Sequence, residues 1–223
     1  MNTHRRFGLA AGFVVLAALL SLLAAPSLPA RLVTNWNTAG EPNGTLPKSL
    51  ALWLVPAMTA GLLVVFASIP RIDPLGENIA AFRPYYDWFV VVFTGYMLVV
   101  HAGVVAFNLG YEFDFTALVL AGSAGLLYYA GVVVANAERN WFVGIRTPWT
   151  LSSDEVWRRT HALGGRLFKL TAIATLVGLL FGDYALYFLV VPAVLTAAVT
   201  VVYSYYLYER LEQGGGASSD SEA

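Results

Sequence analysis

Six long apolar runs, almost free of charged side chains, constrain the fold of this chain more than any other feature. A helix needs about 20 apolar residues to cross a hydrocarbon core about 30 Å thick. Because lipid offers no partner to an exposed backbone, such runs must be helical. The runs lie at approximately 7–26, 50–69, 88–109, 115–137, 163–181 and 184–208. The sequence therefore predicts an all-α, polytopic membrane protein with six transmembrane helices.

The segments between the runs predict how the chain is divided. Only Gly182 and Asp183 separate the last two runs, which predicts a tight helical hairpin. The first run is either a retained span or a signal peptide after Arg5 and Arg6, and its length and the prolines that follow favour a span. We expect a membrane region at 1–112 that has three spans and an extracellular loop at 27–49. A second membrane region at 113–212 is expected to have three spans and a cytoplasmic loop at 138–161. The tail at 213–223 is expected to be disordered.

The Lys and Arg residues predict the orientation of the spans. If the amino terminus is cytoplasmic, nine basic residues fall in inside segments: Arg5, Arg6, Arg71, Arg83, Arg139, Arg146, Arg158, Arg159 and Arg210. Outside segments then hold only Arg31 and Lys48, while Arg166 and Lys169 begin the fifth span at its inner end. The positive-inside rule therefore predicts a multi-pass protein of the plasma membrane with both termini inside.

Composition excludes several classes of function. Of the residues, 58% are hydrophobic and 12% charged, about half the charge usual in soluble domains. The net charge of −1 argues against direct nucleic-acid binding, and without cysteine there is no disulfide or thiolate site. The three His residues are expected at the amino terminus, in the outer half of the third span and at the inner interface, where they cannot converge on zinc. We expect no catalysis, no metal and no cofactor, with the lipid bilayer as the surrounding partner.

The polar loop outside is the first candidate site. Its Gly, Pro and Asn residues predict a compact turn. Trp36 is expected to be an exposed aromatic that either anchors a partner or lies at the membrane surface. Asn37, Gly40 and Glu41 complete the candidate binding residues of this loop.

The inner loop, Asn140–His161, is the second candidate site. Ser152 followed by Glu155 predicts a capping box that begins a helix. Trp157 and His161 share one face of that helix with two glycines, so the face is expected to pack against the turn at 144–149. Arg158 and Arg159 point elsewhere, towards lipid headgroups or a cytoplasmic partner. Arg146 is expected to clamp backbone carbonyls or to stack on Trp149.

The inner loop also resembles a known signature. Gly144-Ile-Arg-Thr-Pro-Trp-Thr-Leu151, then Glu155-Val-Trp157 and Thr160-His161, is similar to the signature of the SdpI immunity-protein family. Trp36-Asn37, Gly40-Glu41-Pro42 and Lys48 resemble a motif of the domain of unknown function that commonly precedes it, and Ile69-Pro70-Arg71-Ile72-Asp73-Pro74 with Asn78 resembles its second motif. Asn35 and Asn43 depart from that pattern, where relatives often have His and Asp.

The resemblance implies a membrane immunity and signalling protein without catalysis. The family's namesake protects a producing cell from its own toxic peptide and sequesters a cytoplasmic repressor at the membrane. For this chain it implies a peptide toxin outside and a repressor or regulator inside. The alternative is a small-solute transporter or channel, because His101 and Asn108 fall within the third span, where polar groups often mark a pathway.

Overall fold

Six long helices form the body of the molecule. The computed structural model describes residues 1–219, with side chains described to residue 211. The helices are α1 (Thr3–Ala24), α2 (Lys48–Ile72), α3 (Gly76–Ala81), α4 (Arg83–Asn108), α5 (Phe115–Asn136), α6 (Pro148–Ser152), α7 (Asp154–Gly178) and α8 (Tyr187–Ser219). All but α3 and α6 are long and apolar enough to cross a membrane. The predicted all-α protein with six spans is confirmed, whereas the orientation of its termini stays a prediction.

A short antiparallel hairpin joins α1 to α2. Its strands, β1 (Arg31–Trp36) and β2 (Pro42–Pro47), pair Arg31 with Pro47 and Trp36 with Pro42. The outer loop is thus a β-hairpin rather than a compact turn alone. We call this end of the bundle the hairpin end and the opposite end, which carries α3, α6 and the inner loop, the loop end.

The predicted tight connection between the last two spans is present. One 3₁₀ segment, Leu179–Tyr184, links α7 to α8, and Gly182 adopts φ +54° within it, a conformation that L side chains rarely adopt. The helix α8 continues to Ser219, into the segment predicted to be disordered. Residues 220–223 of that segment lie outside the described residues, so the disordered tail stays a prediction.

Small residues allow the helices to approach closely. A Cβ on Gly131 of α5 would collide with the carbonyl oxygen of Gly165 on α7, and one on Gly95 of α4 would crowd the ring of Phe13 on α1. Such contacts let backbones pack where lipid removes the hydrophobic drive between helices. Large apolar side chains elsewhere face outwards, among them Leu23 and Leu180, which are 78% and 84% exposed.

Two buried clusters lie at opposite ends of the bundle. The cluster at the hairpin end joins α1, α2 and α4 beneath Leu32 of the hairpin. The cluster at the loop end joins α1 through α5 to α7, with Ile79, Phe82, Tyr86 and Trp157 at most 2% exposed. The inner loop is therefore packed into the core of the molecule rather than loosely attached to it.

Candidate functional site

Asn140 shapes the first turn of the inner loop. It is fully buried, and its side-chain oxygen accepts the amide hydrogens of Phe142 and Val143 at 2.9 and 2.6 Å. Its side-chain nitrogen donates to the carbonyls of Glu138 and Val143 at 2.8 and 2.9 Å. Each polar position of this amide is in use, which fixes the chain direction entering the loop.

Trp157 and His161 form the platform on which the turn lies. Their rings stack with centroids 3.8 Å apart, and the indole nitrogen of Trp157 donates to the carbonyl of Ala137 at 2.7 Å. His161 lies with Nδ1 2.9 Å from the carbonyl of Trp157, and its Nε2 accepts the amide hydrogen of Ile145 at 3.0 Å. Because a carbonyl only accepts and Nε2 is an acceptor here, the imidazole is neutral with its proton on Nδ1. Both residues act as structural supports.

The glycines of this region hold the turn against α7. Gly144 has φ +116°, and a Cβ there would collide with the imidazole of His161. A Cβ on Gly164 would collide with the side chain of Ile145, which fills that notch. The expected packing of the 144–149 turn on the notched face of α7 is present.

The predicted capping box at Ser152 is wrong by one residue. Ser153 is the N-cap of α7, and its hydroxyl accepts from the amide of Val156. Ser152 instead ends the separate helix α6, which a capping box between Thr147 and Thr150 begins. Because Pro148 can occupy the first position of a helix without losing a hydrogen bond, the Thr-Pro pair starts α6 before Ser152 is reached.

The basic side chains of the inner loop are the part open to solvent. Arg146 is exposed and donates from Nη1 to a single carbonyl, that of Trp141, at 2.6 Å. Trp149, on which Arg146 was expected to stack, instead packs edge-on against Tyr205 of α8, with ring centroids 5.1 Å apart. Arg158 and Arg159 have side chains 72% and 50% exposed, and both pair with Glu155.

Two residues that the sequence reasoning did not select connect the inner loop to the first half of the chain. The carboxylate of Asp73 accepts the amide hydrogens of Leu75 at 2.7 Å and of Trp141 at 2.9 Å. The amide of Asn78 donates to the carbonyl of Arg139 at 2.7 Å. Both lie in the segment that resembles the second motif of the preceding domain of unknown function, which was the available signal.

A buried carboxylate near the loop end was also missed. Asp87 is fully buried; it accepts from the hydroxyl of Thr3 and from Nε of Arg83, each at 2.6 Å. Arg6 approaches it at 3.7 Å. The i,i+4 spacing of Arg83 and Asp87 predicts the pair, but the partners from α1 are not visible in sequence. This group ties α1 to α4.

At the hairpin end the candidate residues shape the hairpin itself. Trp36 is not an exposed anchor: its ring stacks on Phe115 at 3.8 Å and meets Phe107 edge-on at 5.3 Å. The side-chain oxygen of Asn37 accepts the amide hydrogen of Glu41 at 2.9 Å, and its nitrogen donates to the Glu41 carboxylate at 3.0 Å. Gly40 turns the chain with φ +78°. Trp36 packs inwards because the rings of Phe107 and Phe115 lie beside it where α4 and α5 meet.

His101 and Asn108, both on α4, make structural contacts with other elements. His101 is fully buried, with Nε2 2.8 Å from the hydroxyl of Ser21 on α1. Asn108 accepts the amide hydrogen of Val33 at 2.8 Å and donates to its carbonyl at 2.9 Å, which attaches β1 to α4. Neither contact supports the transport alternative.

Comparison with known proteins agrees with this organisation. Residues 136–204 match the model of the SdpI/YfhL protein family, and residues 12–60 match that of a domain of unknown function, DUF1648. The chain is similar to the Immunity protein SdpI of Bacillus subtilis (strain 168), with 21% identity over 199 residues, 89% of this chain and 93% of that protein. No solved structure matches. The expected resemblance, the preceding domain and a multi-pass protein of the plasma membrane are confirmed.

Proposed function

We propose that this membrane protein belongs to the SdpI/YfhL family and is an immunity protein that protects the cell in which it is made against a membrane-active peptide toxin. The observation that carries the proposal is the similarity to Immunity protein SdpI over 89% of the chain, which includes both the hairpin end and the loop end. The proposed activity is binding without catalysis. The bilayer itself is what the protein protects.

The hairpin end is the proposed surface that meets the toxin. The turn at 37–41 is held by five hydrogen bonds between Asn37 and the residues up to Glu41. Trp36 fixes the base of this turn on the bundle. A surface held in this way loses little conformational entropy when a peptide binds it.

The loop end is the proposed surface that recruits a cytoplasmic regulator. Arg158 and Arg159 are largely exposed, whereas Trp157 and His161 beneath them are at most 2% exposed. Glu155 is the shared partner of both arginines, so several guanidinium N–H groups remain available. This arrangement favours an acidic partner surface.

Survival of a deletion strain tests the immunity proposal. Deleting the gene is expected to sensitise the cells to at least one peptide in a panel of membrane-active peptides, and the unaltered chain supplied from a plasmid restores survival. Unchanged sensitivity to the whole panel would contradict the proposal. Protein level in the membrane fraction is compared in parallel, so that loss of protection is not confused with loss of insertion.

Charge reversal tests the recruitment proposal separately. If Arg158 and Arg159 recruit a regulator, expressing the chain changes transcription of its neighbouring genes, and the double variant Arg158→Glu with Arg159→Glu loses this response while it still protects. Arg210→Glu, on the exposed surface of α8, is the matched control. A response equally lost in the control, or kept in the double variant, would contradict the recruitment role.

A further inference from the structure

Two apolar grooves at the loop end share a wall. The first, about 280 Å³, lies between α2, α4, α5 and the inner loop, and Phe66, Tyr86 and Phe142 contribute to its lining. The second, about 230 Å³, lies along α7 between α5 and α8, and Leu127 and Ala197 contribute to its lining. Ile145 and Phe168 line both grooves. The two grooves therefore adjoin each other across these two side chains.

The grooves suit a slender apolar occupant. Neither lining contains a charged residue. The polar atoms in them are already paired within the protein: the hydroxyl of Tyr86 donates to the carbonyl of Phe66 at 2.6 Å, and the hydroxyls of Thr171 and Thr196 lie 3.1 Å apart. A helix is roughly 10–12 Å across, too thick for cavities of this size. An extended hydrocarbon chain fits better than a transmembrane peptide.

One basic residue lies at the shared wall. Arg146 directly follows Ile145, is exposed, and donates one hydrogen bond to the carbonyl of Trp141, next to Phe142. Asp73 and Asp87, near the groove lining in sequence, are buried and already accept hydrogen bonds, whereas the carboxylate of Glu138 is exposed. The exposed guanidinium of Arg146 is therefore the positive charge at the wall that an anionic headgroup would meet.

The first groove is also at the depth where a headgroup joins its chains. Phe66 and Ile69 lie within two turns of the end of α2, and Tyr86 and Phe89 within two turns of the start of α4. At about 1.5 Å per residue, this is within roughly 10 Å of the helix ends. An acyl chain in the first groove thus has its ester end near the inner loop, and Ile145 of that loop is where a chain in the second groove begins.

We propose that the two grooves hold the two acyl chains of one anionic phospholipid, whose phosphate lies beside Arg146. Ile145 and Phe168 then separate the chains. The bound lipid fills space under the inner loop and connects the first three spans to the last three. This site is independent of toxin binding and of regulator recruitment.

Native mass spectrometry of the full chain, delipidated in detergent and supplied with defined lipids, tests the proposal. We expect one phosphatidylglycerol to be retained at collision energies that strip phosphatidylcholine of the same chains. The single-chain lyso form of phosphatidylglycerol is expected to be held more weakly than the two-chain form. These comparisons use the unaltered protein, so they do not depend on how any variant folds.

Variants then locate the lipid. Arg146→Gln is expected to weaken phosphatidylglycerol retention about fivefold, the factor expected for one basic residue beside an anionic headgroup, whereas Arg210→Gln leaves it unchanged. Ala130→Phe in the first groove and Ala197→Phe in the second are expected to reduce retention. Ala121→Phe, on the exposed surface of α5, is the matched control.

Three results would overturn the proposal. Equal retention of phosphatidylglycerol and phosphatidylcholine by the unaltered chain would show that the site does not select an anionic headgroup. Equal retention of the two-chain and single-chain forms would show that the two grooves do not hold two acyl chains of one lipid. Unchanged lipid retention in the groove variants, together with loss of protection against a membrane-active peptide, assigns the grooves to the peptide instead.

Discussion

At the residue scale, His161 shows how a polar side chain in an aromatic face can be structural. His161→Ala removes the acceptor of the Ile145 amide hydrogen and the ring stacked on Trp157. An unsatisfied buried amide costs about 1–3 kcal/mol, so we expect a lower melting temperature in detergent, measured by the change in helical circular dichroism. His4→Ala, at an exposed position, should leave it unchanged. Equal melting temperatures for the two variants would contradict this role.

Gly144 gives a second prediction at this scale. Gly144→Ala introduces a Cβ at φ +116° that collides with His161, so we expect the inner loop to shift and thermal stability to fall. Gly125→Ala, in the exposed middle of α5 with open space around it, is the matched control. Alanine there should stabilise the helix by about 0.5–1 kcal/mol. If both substitutions raise the melting temperature, the close contact between Gly144 and His161 is wrong.

At the scale of elements, Asn108 is the attachment of the hairpin. Asn108→Ala removes two hydrogen bonds to the backbone of Val33, which the remaining strand pairing does not replace. We expect faster hydrogen exchange of amides in 31–47, measured by mass spectrometry, with the spans unaffected. Asn136→Ala, which loses only a bond within its own helix, should leave exchange in the hairpin unchanged. Slow exchange retained in Asn108→Ala would show that other contacts hold the hairpin.

The elements also show what could be predicted from sequence. The six spans followed from apolar length, and the packing of the 144–149 turn followed from the spacing of Trp157, His161 and the glycines. The hairpin could not be predicted, because Arg31–Pro47 lacks alternating apolar residues and is held partly by Asn108 from a distant helix. The inward position of Trp36 depends on Phe107 and Phe115, which sequence alone does not bring together.

At the scale of the whole molecule, the inner loop joins the two halves of the chain. Asp73→Ala removes the acceptor of the Trp141 amide hydrogen, across the boundary between the region at 1–112 and the region at 113–212. We expect the inner loop to become more mobile, with faster trypsin cleavage after Arg146 in detergent, followed by gel electrophoresis. Asp183→Ala, at the opposite end, should not change the rate. An equal rate in both variants would show that the halves are joined by other contacts.

The central claim, that the chain protects a membrane, is tested most directly by membrane potential. A voltage-sensitive dye is followed in cells with and without the chain after addition of a peptide to which the deletion strain is sensitive. The account predicts that cells with the unaltered chain keep their potential, while cells without it depolarise. Equal depolarisation in both, with the chain present in the membrane at its normal level, would contradict the account.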